Sequence, residues 1–166
     1  DAGVPSGYYG IGYYLNLGYG LKQDKEMALR YFRKAADLGN ADAQFYVGDL
    51  LAPRDNAPEI ARQMRQCATE QGHGEAAGTL GVNLSGKKHF PEAVAAFQKG
   101  VIAGDSMSAS FLEDGFKAPP PSDGLNYLAL PNDPERSRRY ELIWRFLIRN
   151  DGRNPKVPDI DQIVPL

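Results

Sequence analysis

Apolar residues recur along the first two-thirds of the chain at intervals of three and four, and Gly, Asn, Asp or Pro break each run after a few turns. This is the spacing of amphipathic helices. It predicts helices near Pro5–Leu17, Lys25–Leu38, Ala41–Leu51, Pro58–Gln71, Gly74–Ser85 and Pro91–Ala103. Asp24 has the right chemistry to cap the second helix, because its carboxylate can accept from the first free N–H groups. Pro58 and Pro91 suit a first helical turn, where a missing N–H costs nothing.

The helices are not independent. Gly3, Gly39, Gly72 and Gly104 step by 36, 33 and 32 residues, and Gly12, Gly48 and Gly81 by 36 and 33. Ala28, Ala61 and Ala93 step by 33 and 32. Self-similarity at such a period marks a repeat architecture. Gly39, Gly72 and Gly104 follow the second helix of each unit, the position where a left-handed backbone favours glycine. Gly12, Gly48 and Gly81 fall inside the first helix, where glycine costs about 1 kcal/mol relative to alanine. A cost repeated in register predicts a close approach of the two helices, with the small alanines as the facing surface. Each unit reads as helix A, turn, helix B.

The segment from Ile11 to Asn40 resembles a known family. Ile11-Gly12, Gly18, Gly20, Leu21, Asp24, Ala28, Lys34-Ala35-Ala36 and Gly39-Asn40 match the Sel-1-like repeat, a relative of the tetratricopeptide repeat, with Tyr31 at its aromatic position. The second and third units keep fewer landmarks. The resemblance implies an all-α fold: an α-solenoid of helix-turn-helix repeats spanning residues 1–112 as about three helix pairs. Asp1-Ala2-Gly3 aligns with Asp37-Leu38-Gly39, the end of a helix B, so further repeats are expected upstream.

A fourth helix A begins at Ser106–Asp114, but Glu113 stands at the glycine position and no helix B follows in register. Residues 113–132 form a proline-rich connection. Residues 133–166 then read as a divergent capping helix, with Asp133 as N-cap and Gly152 past its end, and an extended tail. Tyr140, Ile143, Trp144 and Leu147 form an apolar stripe that Leu142, Phe146 and Ile148 broaden, as expected of a helix covering the end of an array. The arginines of this helix read as a solvated face, and Ile160, Ile163 and Val164 are candidates for pinning the tail. From Asp133 onward the chain resembles the C-terminal region that accompanies degenerate Sel-1-like repeats in certain bacterial proteins. Some of these act as immunity proteins for type VI secretion effectors of phospholipase D type.

Composition narrows the function. Lys plus Arg number 19 against 21 Asp plus Glu, a net charge of −2, which argues against nucleic acid binding through a broad basic face. Apolar runs are too short to span a bilayer. A single cysteine, Cys67, leaves no internal disulfide and is compatible with cytosol or periplasm. His73 and His89 lie at turns without further ligands at metal spacing, so neither a metal nor a cofactor is expected. The sequence contains no G-x-S-x-G, Walker or Rossmann motif and no His-x-Lys pair of the phospholipase D kind, so the chain reads as a non-enzyme.

Binding remains. By analogy with tetratricopeptide arrays, helix A lines the concave face at fixed offsets from its glycine. The candidate lining residues are Tyr9, Tyr13, Asn16, Asp42, Phe45, Asp49, Glu75 and Val82, together with Ser6, Ala52, Gly78 and Ser85. Tyr and Phe are good interface anchors, and the carboxylates favour a basic surface. Tyr9 or Tyr13 would serve equally to pack against an upstream repeat. The resemblances imply a periplasmic immunity protein, with a cytoplasmic location as the alternative. It would bind a phospholipase D-like toxin effector and occlude it stoichiometrically, with no small-molecule substrate. A general scaffold of the same repeat class in the bacterial envelope or a regulatory pathway is the other reading.

Overall fold

The periodicity becomes helix almost position for position. The computed structural model describes residues 3–54 and 57–164, and for 52–54 the backbone alone. The helices are α1 (Gly3–Leu17), α2 (Lys25–Asp37), α3 (Ala41–Arg54), α4 (Pro58–Glu70), α5 (Gly74–Gly86), α6 (Phe90–Ile102), α7 (Ser106–Gly115), α8 (Pro134–Arg149) and α9 (Ile160–Ile163). No strand occurs among the described residues. The reading of Asp1-Ala2 as the end of a helix, and the centre of the 52–57 turn, lie outside them.

Local chemistry accounts for where the helices start. The Asp24 carboxylate accepts from the Met27 N–H at 2.9 Å, as its position predicts. Asn40, Asp105 and Asp133 accept in the same way from Ala43, Ser108 and Arg136 at 2.8, 2.8 and 2.9 Å. Pro58 and Pro91 sit in the first turns of α4 and α6.

The chain falls into two compact units, residues 1–71 and 72–166. In unit 1, α1 pairs with α2 and α3 with α4, and α2 packs on α3. In unit 2, α5 pairs with α6, α6 packs on α7, and α7 pairs with α8. This hairpin-on-hairpin order is the all-α solenoid architecture that the repeat implies.

The helix A glycines do what their register requires. A Cβ at Gly12 would stand 2.9 Å from the Phe32 ring and 3.2 Å from the Ala28 carbonyl. At Gly48 it would meet the Ala61 carbonyl at 3.3 Å, and at Gly81 the Phe97 ring at 2.6 Å. Each glycine admits the helix B of its own hairpin, and Ala28, Ala61 and Ala93 are all buried against that contact.

Two features differ from the expectation at the C-terminus. Helix α8 stands to α7 as a helix B stands to its helix A, although it arrives several residues late. The connection before it is long but anchored: Leu128 is buried, the Asp133 N–H donates to the Phe116 carbonyl at 2.9 Å, and Phe90 meets Tyr127 edge-on at 5.2 Å. The tail is also not extended throughout. It makes a 3-10 turn at Asp151–Arg153 and the single turn α9, which brings Val157, Ile160 and Val164 to one buried side.

A buried polar relay holds this tail. The Tyr140 hydroxyl donates to Gln98 Oε1, and Gln98 Nε2 donates to Asp161 at 3.0 Å and to the Val164 carbonyl at 3.3 Å. Burial pushes the Tyr140 hydroxyl well above its ordinary value, so it remains a donor at any physiological pH. The Val157 N–H completes the attachment by donating to the Ile102 carbonyl at 3.1 Å.

Candidate functional site

Six of the eight candidate binding residues lie in unit 1 and two in unit 2. In unit 1, Tyr9 of α1 is half-buried and packs its ring against Phe32 at 5.5 Å, and Phe32 meets Tyr46 of α3 at 4.5 Å. The Tyr9 hydroxyl is raised first by this burial and then by the Asp42 carboxylate and Tyr13, which places all three within electrostatic reach of one another. Asp42 and Tyr13 are exposed, Phe45 is half-buried, and Tyr13 meets Tyr14 edge-on at 6.4 Å. Tyr14 in turn meets the exposed Tyr19 at 6.1 Å. Asn16 is partly buried at the end of α1, where its carbonyl accepts from Gln23 Nε2 at 2.9 Å.

Asp49 is engaged within its own hairpin. Its Oδ1 accepts from Arg65 Nη2 at 2.6 Å and Nε at 3.1 Å, and the Arg65 side chain is only 9% exposed while that of Asp49 is 46% exposed. Arg65 comes from helix B of the same hairpin, so this carboxylate neutralises an otherwise buried cation. In unit 2, Glu75 and Val82 are exposed on α5. Gly78 and Ser85 are buried and therefore do not line a surface. A Cβ at Gly78 would collide with Asp105, Met107 and Ser108, because α7 covers that side. The side chain of Ala52 lies outside the described residues.

Of the candidates for other chemistry, one has a structural role. His73 caps α5, its Nδ1 accepting from the Ala76 N–H at 3.1 Å. His89 is exposed at the start of α6, 3.6 Å from Glu92. Cys67 is exposed on α4. No group of three potential metal ligands occurs among the described residues. No helix among them is long and apolar enough to cross a membrane.

One surface was not expected from sequence. Leu142 and Phe146, read as part of a stripe to be buried, are 52% and 49% exposed, and Ile148 is exposed too. The buried residues of α8 are Ser137, Tyr140, Ile143 and Leu147, with Trp144 partly buried against the same core. The signal was present in the apolar residues spreading around the helix, which exceed what one neighbour can cover.

These features define an all-α repeat protein whose helix A surfaces carry exposed aromatic and acidic side chains. More particularly, the chain carries a Sel1 repeat: residues 5–40 match that family, and residues 108–166 match a domain of unknown function, DUF6396. Among solved structures, it is similar to a Sel1 repeat protein from Oxalobacter formigenes (22% identity, TM-score 0.68), covering 96% of this chain and 70% of that one. It is similar to the immunity protein Pa5087 from Pseudomonas aeruginosa (20% identity, TM-score 0.66), covering 98% of this chain and 75% of that one. A third likeness is to c5321, a protective antigen of uropathogenic Escherichia coli displaying an SLR fold (24% identity, TM-score 0.64), covering 89% of this chain and 31% of that one. A comparison with curated proteins returns no match. At these identities the likeness is one of fold.

Proposed function

We propose that this chain is an immunity protein that binds a type VI secreted, phospholipase D-like antibacterial effector and neutralises it by stoichiometric occlusion in the periplasm. The observation that carries the reading is the aromatic and acidic helix A surface of unit 1, where Tyr9, Tyr13 and Asp42 converge. Exposed tyrosines provide rigid contact area with one polar end, and carboxylates beside them accelerate encounter with a basic surface. An enzyme acting on anionic phospholipid needs such a basic entrance. The fold shared with an immunity protein is consistent with this use. Asp42 attracts the partner in this scheme, while Asp49 holds Arg65 in place.

The test is co-expression with candidate phospholipase D-like effectors in sensitive cells, followed by association kinetics on the purified pair. Neutralisation with a one-to-one complex is expected. Asp42→Lys should slow association roughly threefold to tenfold at low salt and leave dissociation nearly unchanged. Tyr13→Ala should speed dissociation instead. If no effector of this type is neutralised, the immunity reading fails and the scaffold reading stands. If binding is intact in both variants, the interface is elsewhere on the chain.

A further inference from the structure

Helix α8 shows apolar residues on a second side, and the tail passes along it. Between them runs a groove of about 370 Å³. Its floor is Ile143 and Val157, both buried, and its walls are Leu142 and Phe146 on α8 and Ile163 on the tail, all exposed. The far wall does not depend on an occupant. Ile160 and Val164 are buried beneath it, Gln98 bonds to Asp161 and to the Val164 carbonyl, and Arg139 Nη1 donates to the Ile163 carbonyl at 2.8 Å. The recess is therefore preformed, the condition under which apolar burial is least offset by ordering costs.

Two cations without a carboxylate partner among the described residues border the groove. Lys156 lines it, and Arg149 follows Phe146 by three residues and Leu142 by seven, on the same side of the helix, whereas Arg139, also in the lining, is paired with Glu135 at 3.0 Å. Neither Lys156 nor Arg149 has an ion-pair partner among the described residues, whereas Arg138 and Arg145 are matched by Glu135 and Glu141. Asp159 is the one carboxylate among the groove-lining residues.

We propose that this groove is a docking site for an acidic amphipathic segment of a partner protein. Apolar side chains of the segment enter between Leu142, Phe146 and Ile163, and its carboxylates meet Lys156 and Arg149. The recessed shape favours a peptide over a lipid surface, because insertion into a bilayer needs apolar side chains on a projecting edge. All the elements of the groove lie within residues 108–166, so this site stands independently of the unit 1 surface and of the effector reading.

The probe is a labelled synthetic helix-forming peptide with Leu and Phe on one side and Glu on the other, compared with its counterpart carrying Lys for Glu. Binding is followed by anisotropy and by methyl resonances of the full chain. The acidic peptide should bind saturably and shift Leu142, Ile143 and Ile163. Phe146→Glu should weaken it at least tenfold with an unchanged thermal melt, since that ring is half exposed. Lys156→Glu should weaken it roughly threefold to tenfold and raise affinity for the Lys peptide. Absence of binding, equal binding of the two peptides, or indifference to Phe146→Glu overturns the proposal. So does capture of the chain by phosphatidylglycerol vesicles that Phe146→Glu abolishes, which would assign the surface to lipid.

Discussion

The two units are built from the same hairpin but fill their interiors differently. Unit 1 packs Ala28, Ala35, Ala36, Ala43 and Val47 around one ring, Phe32. Unit 2 packs Phe97, Leu112, Phe116, Leu128, Tyr140, Leu147 and Ile160, many large side chains where unit 1 buries the one ring. Three aromatic side chains of unit 1, Tyr13, Tyr14 and Tyr19, are instead exposed on α1 and the turn after it. A glycine- and alanine-lined hairpin closes with little bulk, which leaves large side chains available for contact with another molecule. A hairpin whose loop and tail fold back over it encloses them.

The largest effect is expected where that enclosure is most complete. Phe97→Ala should destabilise unit 2 by about 3–5 kcal/mol, because the surrounding side chains cannot close the cavity. Phe32→Ala should fall at the lower end of that range, since half-buried Tyr9 and Tyr46 beside it have room to move. Denaturant melts of the two variants measure this directly. Equal losses would mean that the two interiors are equally rigid.

A subtler contrast lies in two glycines at the same repeat position. Gly39 and Gly104 both have left-handed backbones, with φ of +88° and +95°. Nothing stands near a Cβ added at Gly39, whereas at Gly104 it would overlap the Pro155 carbonyl oxygen. Gly39→Ala should cost about 1 kcal/mol from backbone strain alone. Gly104→Ala should cost about 2–3 kcal/mol, combining that strain with displacement of the tail. Amide exchange at Val157 should accelerate only in the second variant, because its N–H is the one bonded to Ile102.

The smallest effect concerns the exposed side of α8. Hydrogen bonds from Arg138 and then Arg139 hold the Glu135 carboxyl down to about 2, from an ordinary value of 4.5. A depressed folded-state pKa stabilises the fold above the unfolded value, and that contribution fades as pH drops from about 4.5 towards 2. Because these groups lie at the surface and are screened by salt, Glu135→Gln should lower the thermal midpoint only slightly at neutral pH. The difference from the unaltered chain should vanish as acid is added. A difference that grows in acid would reverse the sign.

Much of this was legible in the residues themselves. Asp24 and Asp133 are caps because their carboxylates reach N–H groups three residues on, a contact that needs nothing else in the protein. Gly12, Gly48 and Gly81 announced a close approach through their shared period. Less legible was the pairing of α8 with α7, since the connection breaks the period while keeping its packing partner. The engagement of Asp49 was hidden as well. Arg65 lies 16 residues away, and its burial follows from how α3 and α4 meet.

The groove along α8 shows the same limit. Tyr140 and Ile143 lie on one side of the helix and Leu142 and Phe146 on another, all of them apolar, yet the first two are buried and the last two exposed. Sequence by itself determined what short-range forces govern: helix spans, caps, the left-handed ends after each helix B, and the repeat with its fold class. Tertiary structure alone decided which apolar side chains are covered and which charges are matched. Those outcomes depend on where Val157, Ile160 and Val164 come to rest against elements distant along the chain, and a local pattern carries no information about a neighbour that only folding supplies.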